Sequence, residues 1–80
     1  MWEVRAYPES FTEMLSWVCD MALLDIELNP LHISSEVFSS TDHRIVVISK
    51  WRAAPPTYPD PPGELVTRSA HVWDFSPVDR

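Results

Sequence analysis

The spacing of apolar positions changes several times along this chain, and each change marks an element. Trp2-Glu3-Val4-Arg5-Ala6-Tyr7 alternates with period two and stops at Pro8, which predicts a strand with Trp2, Val4 and Ala6 on one face. From Ser10 the period lengthens. At about 100° per residue, Phe11, Met14, Leu15, Trp17, Val18, Met21, Ala22 and Leu24 share a broad apolar arc, while Thr12, Glu13, Ser16 and Asp20 face away. Ser10 is placed to cap this helix, with Glu13 as its capping-box partner and Glu9 near the positive end of the dipole. Asp25 would project from the apolar arc and Glu27 would sit at the negative end, so the helix is expected to end near Leu24. An arc roughly 200° wide exceeds what one sheet contact needs, leaving part of it for a cavity or a partner chain.

Asn29-Pro30 breaks the chain, because a residue before proline is pushed out of the α region. Leu31 to Phe38 then suits a strand, and Thr41-Asp42-His43-Arg44 a hairpin turn. Ile45-Val46-Val47-Ile48 is β-branched throughout and continues to Trp51, so both faces of this strand are expected to be covered. Between Ala53 and Gly63, prolines at 55, 56, 59, 61 and 62 exclude regular structure and predict an extended strap. Glu64 to Arg68 has room for one helical turn, and Ser69 to Phe75 for a last strand. The order is strand, helix, strand, hairpin, strand, strap, strand. Neighbour and handedness rules make this one ferredoxin-like α+β domain over residues 1–80: a four-stranded antiparallel sheet, one main helix, and the strap at 53–63 in place of a second helix. One sheet face is left bare, and the economical cover is another sheet.

Composition sharpens that last point. Eighty residues bury only about 63% of their unfolded surface, yet 45% of these are apolar and four are tryptophan. Cys19 is the only cysteine, so no internal disulfide compensates, and a homodimer is expected. The net charge of −6 repels polyanions, which excludes nucleic acid and anionic membrane as favoured partners. Glu3 and Arg5 open the chain without an apolar core behind them, so no signal peptide is expected, and no apolar run approaches the ~20 residues of a membrane span. A cytoplasmic protein with a reduced thiol follows as the expectation.

These residues resemble a known family. The opening strand ending Tyr7-Pro8, the helix from Ser10 and the Asn29-Pro30-Leu31 break carry part of the likeness. Glu36-Val37-Phe38-Ser39-Ser40 and the hairpin into Ile45-Val46-Val47-Ile48-Ser49-Lys50-Trp51-Arg52 carry the rest. The chain is similar to the antibiotic biosynthesis monooxygenase superfamily, small proteins that pair sheet to sheet as a dimeric α+β barrel. The likeness covers residues 1–52, the strand His71–Phe75 fits the same plan, and Trp51 matches the tryptophan that closes the third strand. It implies cofactor-independent oxygenation of electron-rich aromatic or quinone-type compounds, or haem cleavage in a sister branch; some members have no known chemistry. The chain departs from the family pattern at Ser49, where a glutamate is usual, and in the strap, where a helix often supplies a histidine. Haem cleavage requires an asparagine in the first strand, and the sole asparagine here is Asn29, so that branch is not expected.

Candidate chemistry is sparse. Trp51 would stack a planar substrate in an apolar pocket, or alternatively serve as a core or interface ring beneath the strap. His71, between apolar neighbours, is the candidate base: removing a phenolic proton leaves an anion able to react with oxygen or to cyclise. Asp74 would orient it only if the strand bends; the competing reading is an ordinary hydrogen-bonded strand histidine. His32 and His43 are read as surface residues, and Arg52 as a solvated charge. Cys19 and the three histidines lack metal-ligand spacing, so no metal is expected. A single glycine, Gly63, cannot build a phosphate cradle, and no elbow motif holds a nucleophile, so no cofactor is expected. Pro55-Pro56-Thr57-Tyr58 matches a short WW-domain ligand, although Tyr58 serves equally well packed on the sheet or capping a cavity. Glu9, Glu13, Asp20, Asp25 and Glu27 form either a docking patch for a basic partner or, more commonly, a solvated face.

The expected function is that of a small cofactor-independent monooxygenase or cyclase acting on an aromatic, polyketide-type metabolite. Its pocket would lie between helix 10–24, strand 45–51 and the strap. Trp51 would stack the substrate and His71 move the proton, while Trp17, Met14, Val18, Tyr58 and Trp73 shape the cavity. The alternative is a non-catalytic dimeric module of the same fold that binds a ligand or a protein. An enzyme needs about 300 Å³ or more of space with a titratable group at its wall, whereas a structural module fills that space with its tryptophans.

Overall fold

The alternation at the start of the chain builds the centre of a sheet. In the computed structural model, which describes residues 1–55, 57–76 and 78, Trp2–Arg5 forms β1. It lies between β3 (Arg44–Trp51) and β4 (His71–Val72), and β2 (His32–Ser39) pairs outside β3. The order β2-β3-β1-β4 is antiparallel at every step, which is the ferredoxin-like arrangement. Trp2 stands opposite Val47 and Val4 opposite Ile45, and residues directly opposite share a face. Trp2, Val4, Ile45 and Val47 therefore point together toward the helix and are buried. Ala6 continues β1 through an isolated bridge to Val66.

The covering rod has three parts: α1 (Phe11–Trp17), a π-helical segment (Val18–Ala22) and α2 (Leu23–Glu27). Its buried residues are Met14, Val18, Ala22 and Ile26, a spacing of four throughout. In a regular helix each step of four drifts by about 40°, which would carry Ile26 well off the sheet. The π segment widens the turn mid-way and resets the phase, as such insertions do. This changes two expectations. The rod does not end at Leu24 but runs to Glu27, with Ile26 facing the core and Asp25 exposed. Met21 and Leu24, placed on the apolar arc, are exposed instead. The Ser10 cap also differs: its side chain makes no capping bond, and a 3-10 turn over Pro8–Ser10, with proline at its start, leads the chain in. After the rod, Asn29 Oδ1 accepts from the Leu31 N–H at 2.8 Å and turns the chain into β2.

Past β3 the strap runs without strands until a 3-10 turn at Gly63–Leu65. Tyr58, Leu65 and Val66 anchor it, all three buried against the core. The last strand is only two residues, His71–Val72, shorter than the 69–75 pattern suggested.

The other sheet face is bare. Ile48 keeps 46% and Phe38 47% of their surface, so β3 is covered on one side only, contrary to what its β-branched run implied. At the centre of this face Glu3 is buried between two arginines, accepting from Arg68 at 2.9 Å and lying 3.7 Å from Arg44. Arg44 and Arg5 also approach Asp42, at 3.1 and 3.6 Å. No helix among the described residues is long and apolar enough to cross a membrane.

Candidate functional site

A β-bulge sets the geometry of the site. β2 and β3 pair regularly from Ser39↔Ile45 back to Ser34↔Lys50, and then the register shifts so that His32 stands opposite Trp51. Strict alternation would put His32 with Ser34, on the bare face. The extra residue, Ile33, turns His32 onto the helix-facing side with Ser35, Ser49 and Trp51, a re-aiming typical of bulges. The His32 ring meets the edge of Trp51, with centroids 5.2 Å apart, and its Nε2 lies 2.7 Å from Ser35 Oγ. Ser35 Oγ in turn lies 2.7 Å from Ser49 Oγ, its cross-strand partner. A histidine and two hydroxyls thus form one unbroken chain.

Aromatic rings continue the same surface. Trp51 donates its Nε1–H to the Tyr58 hydroxyl at 3.2 Å and meets that ring edge-on, at 6.3 Å. Tyr58 stacks almost parallel on Trp2 at 6.0 Å, and Trp2 leans on Trp17 at 6.2 Å. Each such pair contributes roughly 0.5–1.5 kcal/mol beyond the area it buries, so together they pin the strap to the sheet. The strap does not lie flat, however. Between the end of β3, the strap start and residues 74–76 there is a cleft of about 670 Å³. Trp51, Tyr58 and Phe75 give it aromatic walls and Ala53, Ala54 and Pro55 an apolar floor, while Ser49, Lys50 and Asp74 supply its polar edge. A second hollow, about 370 Å³ between residues 60–63 and 66–70, holds Asp60 and Arg68 but no aromatic ring.

Of the residues expected at a pocket, the structure brings Trp51 and Tyr58 together at this cleft. Met14 and Val18 are wholly buried under the rod, and Trp17 packs partly buried beside Trp2; all three support the sheet behind the cleft. His71 sits exposed on the edge strand opposite Glu3, on the face away from the rod, with Trp73 at 5.5 Å as its ring neighbour. Neither His71 nor Trp73 lines the cleft. The hydrogen-bonded chain ending at His32, of which only Ser49 lines the cleft, was missed because His32 precedes a bulge. The signal available was Ser35 and Ser49, two small polar residues on adjacent strands, on the face that also carries Val37, Val47 and Trp51.

Electrostatic perturbation lies elsewhere, in the β2–β3 turn. The Ser40 hydroxyl donates to Asp42 and, with Arg44, the Asp42 N–H and Arg5, holds its carboxyl below the usual range against a desolvation push upward. Among the described residues no three His, Cys, Asp or Glu side chains gather as metal ligands. No protein-family model, curated protein or solved structure matches this chain.

Proposed function

We propose that this protein binds a small planar aromatic or quinone-type compound in the cleft between β3, the strap and residues 74–76. One observation carries the reading: about 670 Å³ of space is walled by Trp51, Tyr58 and Phe75 and edged by Ser49, Lys50 and Asp74. Aromatic walls with a few convergent polar groups are the usual make-up of a small-molecule site. Trp51 is the stacking surface, and Tyr58, held by Trp2 and by the Trp51 N–H, keeps the cleft open against the sheet. Titrating the protein with a hydroxynaphthoquinone should quench tryptophan emission saturably, and Trp51→Leu should weaken that binding at least tenfold. Binding unaltered by Trp51→Leu would refute the site.

Catalysis is the second step of the same proposal: cofactor-independent oxygenation or cyclisation of the bound compound. Oxygen uptake and a new product mass on incubation in air are the expected results. Saturable binding with neither would leave the non-catalytic ligand-binding module as the function. The dimer belongs to the proposal too. Phe38 and Ile48 are half exposed on the bare sheet face, and a second copy of the chain is the cover we propose for them. A sedimentation mass twice 9.2 kDa is expected at micromolar concentration, and a mass of one chain would overturn it.

A further inference from the structure

One of the residues lining the cleft has a side chain that leads elsewhere. Ser49 lines the cleft, and from its Oγ two contacts of 2.7 Å run through Ser35 to His32 Nε2. Ordinary packing does not require this chain. Of the other inward positions of β1 and β3, Trp2, Val4, Ile45 and Val47 are apolar and buried and Trp51 is half-buried, while Ser39 is the one other hydroxyl on this face of β2. The bulge at Ile33, moreover, is what turns His32 to the end of the chain. We propose that Ser49, Ser35 and His32 form a proton relay that takes the proton from a phenolic hydroxyl, so that the cleft's ligand is a phenol held as its phenolate. The inference rests on the cleft being a binding site and names the class of compound it takes.

The transfer balances without any further reactant. With hydrogen on His32 Nδ1, Nε2 is an acceptor; Ser35 donates to it and Ser49 donates to Ser35. A phenol placed against Ser49 gives its proton to Ser49 Oγ as Ser49 passes its own to Ser35 and Ser35 passes its own to Nε2. The phenol O–H bond breaks, an N–H bond forms on the imidazole, and both serines end as they began. An imidazole can take a proton at one ring nitrogen while the other keeps its own, so it is a fitting terminus. Lys50, which lines the cleft from the other face of β3, adds positive charge to its rim. The other lining residues that carry titratable groups are Asp74, Tyr58, whose hydroxyl accepts from Trp51, and Met1, whose amino group donates to the Trp73 carbonyl. Glu36 on β2 and Arg52 after β3 are the charged groups of the adjoining chain.

4-Nitrophenol tests the relay, because its absorbance separates phenol from phenolate, and 4-nitroanisole, its methyl ether, reports occupancy without a proton to give. At fixed pH near neutrality, binding should raise the phenolate-to-phenol ratio about tenfold, equivalent to one pK unit. His32→Gln and Ser35→Ala should each abolish that rise while 4-nitroanisole still binds, which also shows that the variants fold, and Ser49→Ala should abolish it as well. Ser49→Thr, keeping the hydroxyl, should restore it. Two results overturn the relay alone: the ether binds but the phenol stays protonated, or the phenolate rise survives His32→Gln and disappears in Lys50→Gln. If neither probe binds, the cleft is no binding site and the relay falls with it.

Discussion

Removing Tyr58 tests how the strap is held. Only 9% of its surface is exposed; the ring stacks on Trp2 at 6.0 Å, and the hydroxyl accepts the Trp51 N–H at 3.2 Å. Tyr58→Phe deletes the hydroxyl alone. A neutral hydrogen bond contributes about 1 kcal/mol, and because Trp51 is half-buried its freed N–H can reach water, so the loss should stay near that figure. For a domain of this size that lowers Tm by about 4–8 °C. Tyr58→Ala also deletes the ring, and large aromatic-to-alanine changes in cores cost roughly 3–5 kcal/mol. A chain of this length has total stability of only about 4–12 kcal/mol, so Tyr58→Ala should leave a barely folded protein. Urea unfolding followed in parallel by tryptophan emission and far-ultraviolet dichroism measures both losses. A Tyr58→Ala cost below about 1 kcal/mol would show that the strap is held by something other than this ring and would refute the account of the cleft wall.

Three further outcomes follow from the same contacts. Glu3→Gln removes the negative charge between Arg68 and Arg44 and should cost about 2 kcal/mol in urea unfolding, since a hydrogen bond to a charged group contributes about 1.5–3 kcal/mol; an unchanged midpoint would show that the buried carboxylate stabilises nothing. Asp42 has its folded pKa lowered, so its stabilisation is present above its unfolded pKa and lost as pH falls through the folded value. Asp42→Asn should therefore lower stability at neutral pH and flatten the acid limb of the pH profile, and parallel profiles for the two proteins would contradict the ion cluster. His71→Ala, at an exposed edge position outside the cleft, should change stability by less than about 0.5 kcal/mol and leave ligand titrations unchanged; a lost titration would return the proton-transfer role to His71.

The strand order was legible because its signals are local and strong: period two in Trp2–Tyr7, a β-branched run at 45–48, and prolines that forbid a second helix. What was not legible depends on departures from regular period. The π segment at Val18–Ala22 converts a drifting set of apolar positions into a straight buried row, and no single residue there announces it. For that reason Ile26 was assigned outside the helix, and Met21 and Leu24 inside the apolar face. The bulge at Ile33 has the same effect in a strand, since one added residue exchanges the faces of everything before it. His32, read as a surface residue at a strand start, is half-buried against Trp51, and His71, preferred for its apolar neighbours, lies exposed on the edge strand. Trp51 and Tyr58 meet edge-on because large rings at a strand end and within a proline-rich segment have few places to go.

The sheet order has a consequence for synthesis. β1 is made first but occupies the interior of the sheet: Glu3 lies beside Val46 on one flank and His71 on the other, and Met1 bonds to Trp73. The β2–β3 hairpin lies on one flank of β1, and until β4 pairs the other flank has no partner. An unpaired edge in a nascent chain invites foreign strands. Glu3 and Arg5, alternating along that edge, are charges of the kind that discourage such contacts until the final residues emerge and close the sheet.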